Sequence, residues 1–349
     1  MKYLVSLIND HVLSAYLFIK ENKDKYDEIL LFTTPRSTGR VKRIRKLLPN
    51  ETLKHIEILG DDFFSDRSEL KKLKFQPDDR IIVHLPYDAT IMSLGAFFFF
   101  KKEYSKSEFY LVPPGKNMIR NVLTSKEAPL TYRIKVEEYF NLHDIDITWK
   151  TGMIFPQEHT YQLFDDYRDA DYQWRSIPEM RSAKDKRVKT PKEKYYDGTW
   201  FEEYTYHRLI DENDDLKKPG YICTGVKIYR FGLQNPNNDN EIDIAFVIDN
   251  ELYIGECKVS IGYTSVDVSE YDLLEEYLYK LAALSIDFGL NVRQMVFTLW
   301  KFTDPRSIGL IERRMEILQL ERLIEREHFE SEEKLPIKLK EEEFEIFSY

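Results

Sequence analysis

Residues 241–260, EIDIAFVIDNELYIGECKVS, set acidic side chains and a lysine into an otherwise apolar stretch. Ile242, Ile244, Phe246 and Ile248 alternate with other residues, and Asp249-Asn250 separates them from a second apolar run, Leu252 to Val259. A period of two on either side of a polar pair predicts a β-hairpin. Neighbouring strand residues point to opposite faces, so Glu241 and Asp243 share one face, as do Glu256 and Lys258. If the two faces coincide, carboxylates gather beside an ammonium while Cys257 points into the opposite layer. Oxygen ligands of this kind beside a lysine make a divalent-metal site. An edge hairpin whose acids face solvent and pair with Lys258 across the strands is the alternative.

The flanking elements have to position these groups. Upstream, DGTWFEEYTYHRLIDE (197–212) predicts a helix with Thr199 as N-cap and Glu202 three residues on, a capping box. His207 on that helix is a lone histidine, expected to be structural. YICTGVKIYR (221–230) predicts a strand, and an Asn/Asp-rich loop (234–240) leads to the hairpin. Downstream, 269–289 predicts an amphipathic helix with Leu273, Leu274, Tyr277, Leu278, Leu281 and Leu284 on its apolar stripe and Gly289 as C-cap. A strand over 293–300 follows, with Gln294 at its start, then a helix over 308–324 and a charged tail ending in a strand at 343–349.

The first 145 residues follow another rhythm. Strands are predicted at 2–8, 27–34, 55–60, 79–85 and 107–113. Helices alternate with them, from 12 to about 23, within 36–48, at 66–75 and within 86–103, and a peripheral helix follows at 134–142. Such alternation predicts βαβ units and a mainly parallel sheet covered on both faces. The expected division is therefore an α/β domain over 1–145, a connector over 146–195 and a second α/β domain over 196–349. The basic run KDKRVKTPKEK (184–194) in the connector is read as a solvated face. A ligand crevice is expected at the C-terminal ends of the first domain's strands. Its first loop is no GxGxxG, which argues against NAD. Arg36, Lys42, Arg43, Arg45 and Lys46 form an acid-free patch suited to a polyanion, or else a solvated helix face.

Composition narrows the classes. A net charge of −10 excludes a uniformly basic nucleic-acid-coating surface but leaves local basic patches open. Two cysteines, Cys223 and Cys257, argue for a reducing, cytoplasmic setting and against a disulfide framework or a cysteine-built zinc site. The N-terminal stretch is too short and too interrupted by Asn9, Asp10 and His11 for a signal peptide or a spanning helix. LGAFFFF (94–100) is ended by Lys101-Lys102-Glu103 and reads as a buried helix, not a membrane segment.

The order of motifs in the second half resembles the PD-(D/E)xK nuclease core. GTWFEE places Glu202 in the first helix, NEID supplies Asp243, LYIGECK supplies Glu256 and Lys258, and a long helix leads to the next strand. Over roughly 196–325 it is similar to the nuclease half of the CRISPR ancillary effectors of type III systems that carry an N-terminal CARF sensor domain. The resemblance implies a restriction-endonuclease-like α/β fold that hydrolyses phosphodiesters. Asp243 and Glu256, with the backbone carbonyl of Cys257, would hold Mn²⁺ or Mg²⁺. Glu202 would join directly or through water, and Glu241 would serve as an outer ligand. Lys258 would orient a water or stabilise charge in the transition state.

The first half resembles a CARF domain, the Rossmann-like fold that binds cyclic oligoadenylate across a homodimer twofold. Thr33-Thr34-Pro35 and PYDATIMSLG (86–95) carry the likeness. Asp88 and Ala89 stand at glycine-like positions, and Thr90 stands where the family has a lysine. The implied ligand contacts are Asn9, Ser14, Thr33, Thr34, Arg36, Thr90 and Asn117. A homodimer is implied, with cyclic tetraadenylate or hexaadenylate as activator, DNA and also RNA as substrate, and no membrane. A constitutive restriction- or repair-type nuclease and a non-cleaving nucleotide-responsive module are the rival classes.

Overall fold

The structure, a computed structural model, describes residues 1–9, 12–49, 51–58, 73, 75–87, 91–150, 152–230, 240–260, 270–286, 288 and 292–338. It forms two compact units, Met1–Asp146 and Ile147–Tyr349.

The first unit runs β1 (Lys2–Ile8), α1 (Val12–Asn22), β2 (Glu28–Thr33), α2 (Thr38–Leu47), β3 (Leu53–Glu57), β4 (Arg80–His84), α3 (Ile91–Glu103) and β5 (Glu108–Leu111). A hairpin, β6 (Met118–Asn121) and β7 (Glu127–Pro129), and α4 (Val136–Leu142) complete it. The sheet order is β3-β2-β1-β4-β5-β6-β7. β1 to β5 are parallel and the hairpin adds antiparallel strands at one edge. This is a Rossmann-like arrangement, in which the chain reverses direction of travel between β1 and β4 and opens a crevice at their C-terminal ends. Leu4, Val5, Leu7 and Ile8 of β1 are buried, as a central parallel strand covered on both faces requires. The alternation of strand and helix made this half readable. The β6–β7 hairpin was not anticipated, since its strands span only three or four residues. Of the helix expected at 66–75, only residues 73 and 75 lie within the described residues.

The second unit runs β8 (Asp146–Thr148), α5 (Gln157–Asp169), α6 (Pro178–Lys184), α7 (Pro191–Lys194), α8 (Trp200–Glu212), β9 (Ile222–Tyr229), β10 (Asn240–Ile248) and β11 (Glu251–Lys258). α9 (Glu270–Ser285), β12 (Val292–Thr298), α10 (Pro305–Leu318), β13 (Arg322–Ile324) and α11 (Arg326–Glu330) follow. Its sheet has the order β13-β12-β11-β10-β9-β8. β9, β10 and β11 pair antiparallel, while β11, β12 and β13 are parallel. Asp249 and Asn250 turn the β10–β11 hairpin with φ of 50° and 65°, the two left-handed residues of a tight hairpin turn. Phe246 and Tyr253 stack across it with ring centres 4.9 Å apart, a pairing worth about 0.5–1.5 kcal/mol beyond burial. Gly255 has to be bare, because a Cβ there would stand 2.6 Å from the Phe297 ring and 2.8 Å from Ile244 Cγ2.

Three features differ from expectation. Residues 146–195, read as a connector, place Leu163, Phe164, Tyr167, Met180 and Ala183 in one core with Trp200, Phe201 and Tyr204. Thr199 does not cap α8. It is helical (φ −59°, ψ −23°) with no side-chain cap bond, and a five-residue π turn over Tyr195–Thr199, kinked at Gly198, joins α7 to α8. The capping box belongs to Thr190 and Glu193, with buried Tyr195 and Tyr196 continuing the helical path behind it. Finally, the helix expected over 308–324 is α10, capped by Asp304, and it stops where Gln319 turns left-handed (φ 57°). The residues beyond form β13. The expected cap Gly289 and the strand at 343–349 lie outside the described residues.

Candidate active site

Pairing of Ile244 with Gly255 in the hairpin brings Asp243 beside the Glu256–Lys258 end of β11. Asp243 Oδ2 accepts hydrogen bonds from the Cys257 backbone N–H at 2.8 Å and from Lys258 Nζ at 3.1 Å. The same ammonium lies 2.6 Å from Glu256 Oε1. Glu256 Oε2 accepts from Lys280 Nζ of α9 at 2.6 Å. From α8, Glu202 Oε2 accepts from Lys150 Nζ at 2.7 Å. Glu202, Asp243, Cys257 and Lys258 line one cavity of about 340 Å³, whose wall also includes Lys184, Lys194, Asp197 and Thr199. The coinciding faces considered from the sequence are therefore realised. Asp243 is 9% exposed and Glu256 2%, which sets aside the solvent-facing edge hairpin.

Electrostatics follow from that enclosure. Burial pushes the Glu202 carboxyl up to about 7, the Asp243 charge pushes the same way, Lys150 pulls back, and Glu241 adds a smaller push. Burial works against the Lys258 charge, but Asp243 and Glu256 outweigh it and hold the ammonium above the ordinary lysine value. The Cys257 thiol is driven well up by burial and then by the neighbouring acids, so it stays neutral in the apolar layer. A buried carboxylate stripped of its cation costs about 3–5 kcal/mol, and here each acid has one.

Among the described residues, no three His, Cys, Asp or Glu side chains stand close enough to share one metal ion. The donor types nevertheless suit a hard divalent cation: the Asp243 and Glu202 carboxylates, which line one cavity with Cys257, and the Glu256 carboxylate joined to Asp243 through Lys258. The space between Asp243 and Glu256 already holds a positive charge, the Lys258 ammonium. That charge stands where a cation shared by the two acids would have to sit.

His207 does not line the cavity; its ring packs against Tyr161 and Tyr206, and burial lowers its pKa. Gln294 is buried on β12, opposite Ile254. Two site lysines were not singled out from the sequence. Lys280 had a signal, since it lies three residues after Tyr277 and four before Leu284, on the buried stripe. Lys150 had none, because it lies in the stretch read as a connector.

In the first unit, pairing of Ile8 with Thr33 puts Asn9 after β1, Ser14 in the first turn of α1, and Thr34 and Arg36 after β2 at one end of the sheet. Thr33 is fully buried, with its hydroxyl 2.7 Å from His55 Nε2. Thr34 opens a short turn, where its N–H donates to Ser37 Oγ at 3.1 Å, and Arg36 is exposed. Asn117 stands before β6, with Nδ2 donating to the Leu130 carbonyl at 3.4 Å. Thr90 lies outside the described residues. The basic patch on α2 is partly engaged: Arg43 bonds Leu142 O, Arg45 bonds Leu53 O, and Lys46 bonds Asn141 and Asp146. No helix among the described residues is long and apolar enough to cross a membrane, and both cysteines are buried free thiols.

Residues 3–139 match the family profile of the Card1 CARF domain, and residues 190–320 that of the Card1-like endonuclease domain. No curated protein matches the chain by sequence. Among solved structures, the chain resembles protein VC1899 from Vibrio cholerae at 16% identity and a TM-score of 0.74, covering 94% of each chain. It resembles Can2 from Sulfobacillus thermosulfidooxidans, solved with cyclic tetra-adenylate, at 17% identity and a TM-score of 0.68, covering 92% of this chain and 95% of that one. A type III CRISPR defence DNA nuclease activated by cyclic oligoadenylate matches at 15% identity and a TM-score of 0.56, over 87% of this chain and 46% of that one. At such identities these likenesses speak for the fold. With both halves matched by their own profiles, the chain belongs to the CARF-domain CRISPR ancillary nucleases, a Rossmann-like CARF domain followed by a Card1-like endonuclease domain.

Proposed function

We propose that the protein is a divalent-metal-dependent nuclease that cleaves or nicks DNA, with RNA as a second substrate. A cyclic oligoadenylate bound to the first unit of a homodimer switches it on. The observation that carries the catalytic half is the bridging of Asp243 and Glu256 by one ammonium, Lys258, in the cavity that also receives Glu202.

Asp243, Glu256 and the Cys257 carbonyl would hold Mn²⁺ or Mg²⁺, with Glu202 joining directly or through water. When bound, such an ion neutralises phosphoryl oxygens and makes water a better nucleophile at neutral pH. The chain's own groups do the rest. Lys258 Nζ stands at the cavity wall and can donate to a non-bridging phosphate oxygen, where negative charge grows in the transition state. Lys280 fixes Glu256, and Lys150 fixes Glu202. The Asp243 carboxylate is aimed by the Cys257 N–H, a donor that side-chain motion cannot remove.

Membership of the first unit in the Card1 CARF family supports the sensor half, as does the likeness to a fold solved with cyclic tetra-adenylate. Asn9, Ser14, Thr33, Thr34, Arg36, Thr90 and Asn117 would supply the ligand contacts. A cyclic ligand with twofold symmetry suits a C2 dimer. Cyclic tetraadenylate is the expected activator, with cyclic hexaadenylate as the alternative ring. Ligand binding would shift the protein toward a state in which substrate reaches the cavity.

The test is cleavage of supercoiled plasmid and single-stranded RNA in Mn²⁺, with and without each ring. Cleavage that depends on one ring is the expected result. An equal rate with and without both rings overturns the sensor half and favours a constitutive restriction- or repair-type nuclease. Ring binding with no cleavage in Mn²⁺ or Mg²⁺ favours a non-cleaving module.

A further inference from the structure

The basic run that sequence reading left as a solvated face forms one wall of the candidate active site. Between 178 and 194 the chain has seven Lys and Arg residues against three Asp and Glu, in a protein of net charge −10. Lys184 at the end of α6 and Lys194 at the end of α7 both line the cavity that holds Glu202, Asp243 and Lys258. Between them the chain bends outward through Arg187 and Val188, and Val188 is 88% exposed.

Part of this charge is balanced locally. Lys186 pairs with Glu193, and Lys189 and Lys184 lie 2.5 and 3.9 Å from Asp197. Lys192 stands over the Phe155 ring at 6.0 Å. Arg181, Arg187 and Lys194 are exposed, and none has a carboxylate partner among the described residues. A protein of net charge −10 repels a polyanion, so a substrate strand needs cations beside the cavity to be drawn in and held. Buried cations would serve folding. Lys194 lines the cavity, and Arg181 and Arg187 are exposed on the same run, where phosphate can replace solvent around them.

We propose that residues 181–194 form a nucleic-acid-binding ridge, on which Arg181, Arg187 and Lys194 contact backbone phosphates next to the scissile one. The ridge rests on the nuclease reading of the same cavity. It is a backbone reader, so it contributes affinity with no sequence preference.

The test uses the full-length protein and fluorescein-labelled DNA duplex, DNA single strand and RNA strand. Affinity is measured by anisotropy in EDTA across a salt series, with and without cyclic tetraadenylate. The variant R181Q/R187Q/K194Q is expected to bind its best substrate about tenfold or more weakly near physiological salt. Its slope of log affinity against log salt should be shallower by about 2 to 3, since each phosphate contact contributes roughly 0.9 for duplex and 0.7 for single strand. The charge-preserving R181K/R187K/K194R should bind as the wild type does, and circular dichroism should show the wild-type fold in both. An unaltered affinity and salt slope in the Gln variant overturns the ridge while wild-type cleavage leaves the nuclease reading standing. Equal loss of affinity in the charge-preserving variant also overturns it. A wild type that neither binds nor cleaves any of the three strands overturns both.

Discussion

The Lys150 side chain lies across the bare backbone of Gly225: a Cβ built there would stand 2.5 Å from Lys150 Cε and 2.9 Å from Cδ. Gly225 has φ +54°, a conformation that side-chain-bearing residues rarely adopt. The lysine backbone is tied down alongside, with its N–H donating to Thr224 O at 3.1 Å. Four residues on, the Ile154 N–H donates to Glu203 Oε1 at 3.2 Å. Lys150 and Ile154 thus hold the carboxylates of Glu202 and Glu203.

Gly225→Ala should therefore act at a distance from its own position. It strains the backbone by about 1–3 kcal/mol and pushes Lys150 off Glu202. We expect a lower melting temperature together with a fall in cleavage rate matching that of Lys150→Met. A variant that melts earlier yet cleaves at the wild-type rate would show that Lys150 contributes nothing to the site.

Lys280→Met removes one of the two cations on nearly inaccessible Glu256. The expected loss of stability is about 1–3 kcal/mol, the cost of an unmatched buried acceptor. Added Mn²⁺ should recover much of it, because an ion at Glu256 restores the missing charge. Denaturant melts with and without Mn²⁺ measure both, and a deficit that Mn²⁺ leaves unchanged would place the ion elsewhere.

Lys258→Met separates binding from turnover. The ammonium lies between the two acids that would hold the ion, so its removal should preserve or tighten Mn²⁺ affinity measured by calorimetry. Turnover should fall by about 10²–10³, the scale for losing one donor to developing charge. A parallel loss of affinity and turnover would make Lys258 a structural brace.

How much of this was legible in the sequence depends on what each residue's neighbours said. Asp243, Glu256 and Lys258 were readable as face-sharing pairs because β10 and β11 alternate about a turn pair, while the register of the hairpin decides that the two faces coincide. Glu202 was placed on the right helix with the wrong local partner, since the cap lies at Thr190 and the π turn carries the helix past Thr199. Lys280 was visible only as a cation on an apolar stripe. Lys150 could not be found, because its reach depends on the absence of a side chain at Gly225, on a strand far away in sequence. In the first unit the βαβ rhythm pointed to a mainly parallel sheet, but short β6 and β7, like β8 of the second unit, have too few residues to show a period.

Stability of the first unit should be sensitive to acid through Glu138. Burial alone would raise this carboxyl, but hydrogen bonds from Tyr132, the Lys135 N–H and Tyr16, with Lys20 nearby, bring it below the usual carboxylate range. A lowered folded-state value stabilises the fold above the ordinary carboxylate pKa of about 4.3, and that contribution is lost as the pH falls through the folded value. Glu138→Gln should lower the melting temperature at neutral pH and narrow the gap to wild type below about pH 4. An equal gap at both pH values would show that Glu138 acts by shape alone.

The central claim is that Asp243 and Glu256 hold a metal ion that cleaves nucleic acid. Its most direct measurement pairs Mn²⁺ calorimetry with plasmid cleavage in saturating cyclic tetraadenylate, on wild type, Asp243→Asn and Glu256→Gln. Both substitutions should weaken Mn²⁺ binding at least tenfold and abolish cleavage, with the fold retained by circular dichroism. Either variant binding Mn²⁺ and cutting plasmid as the wild type does would contradict the account.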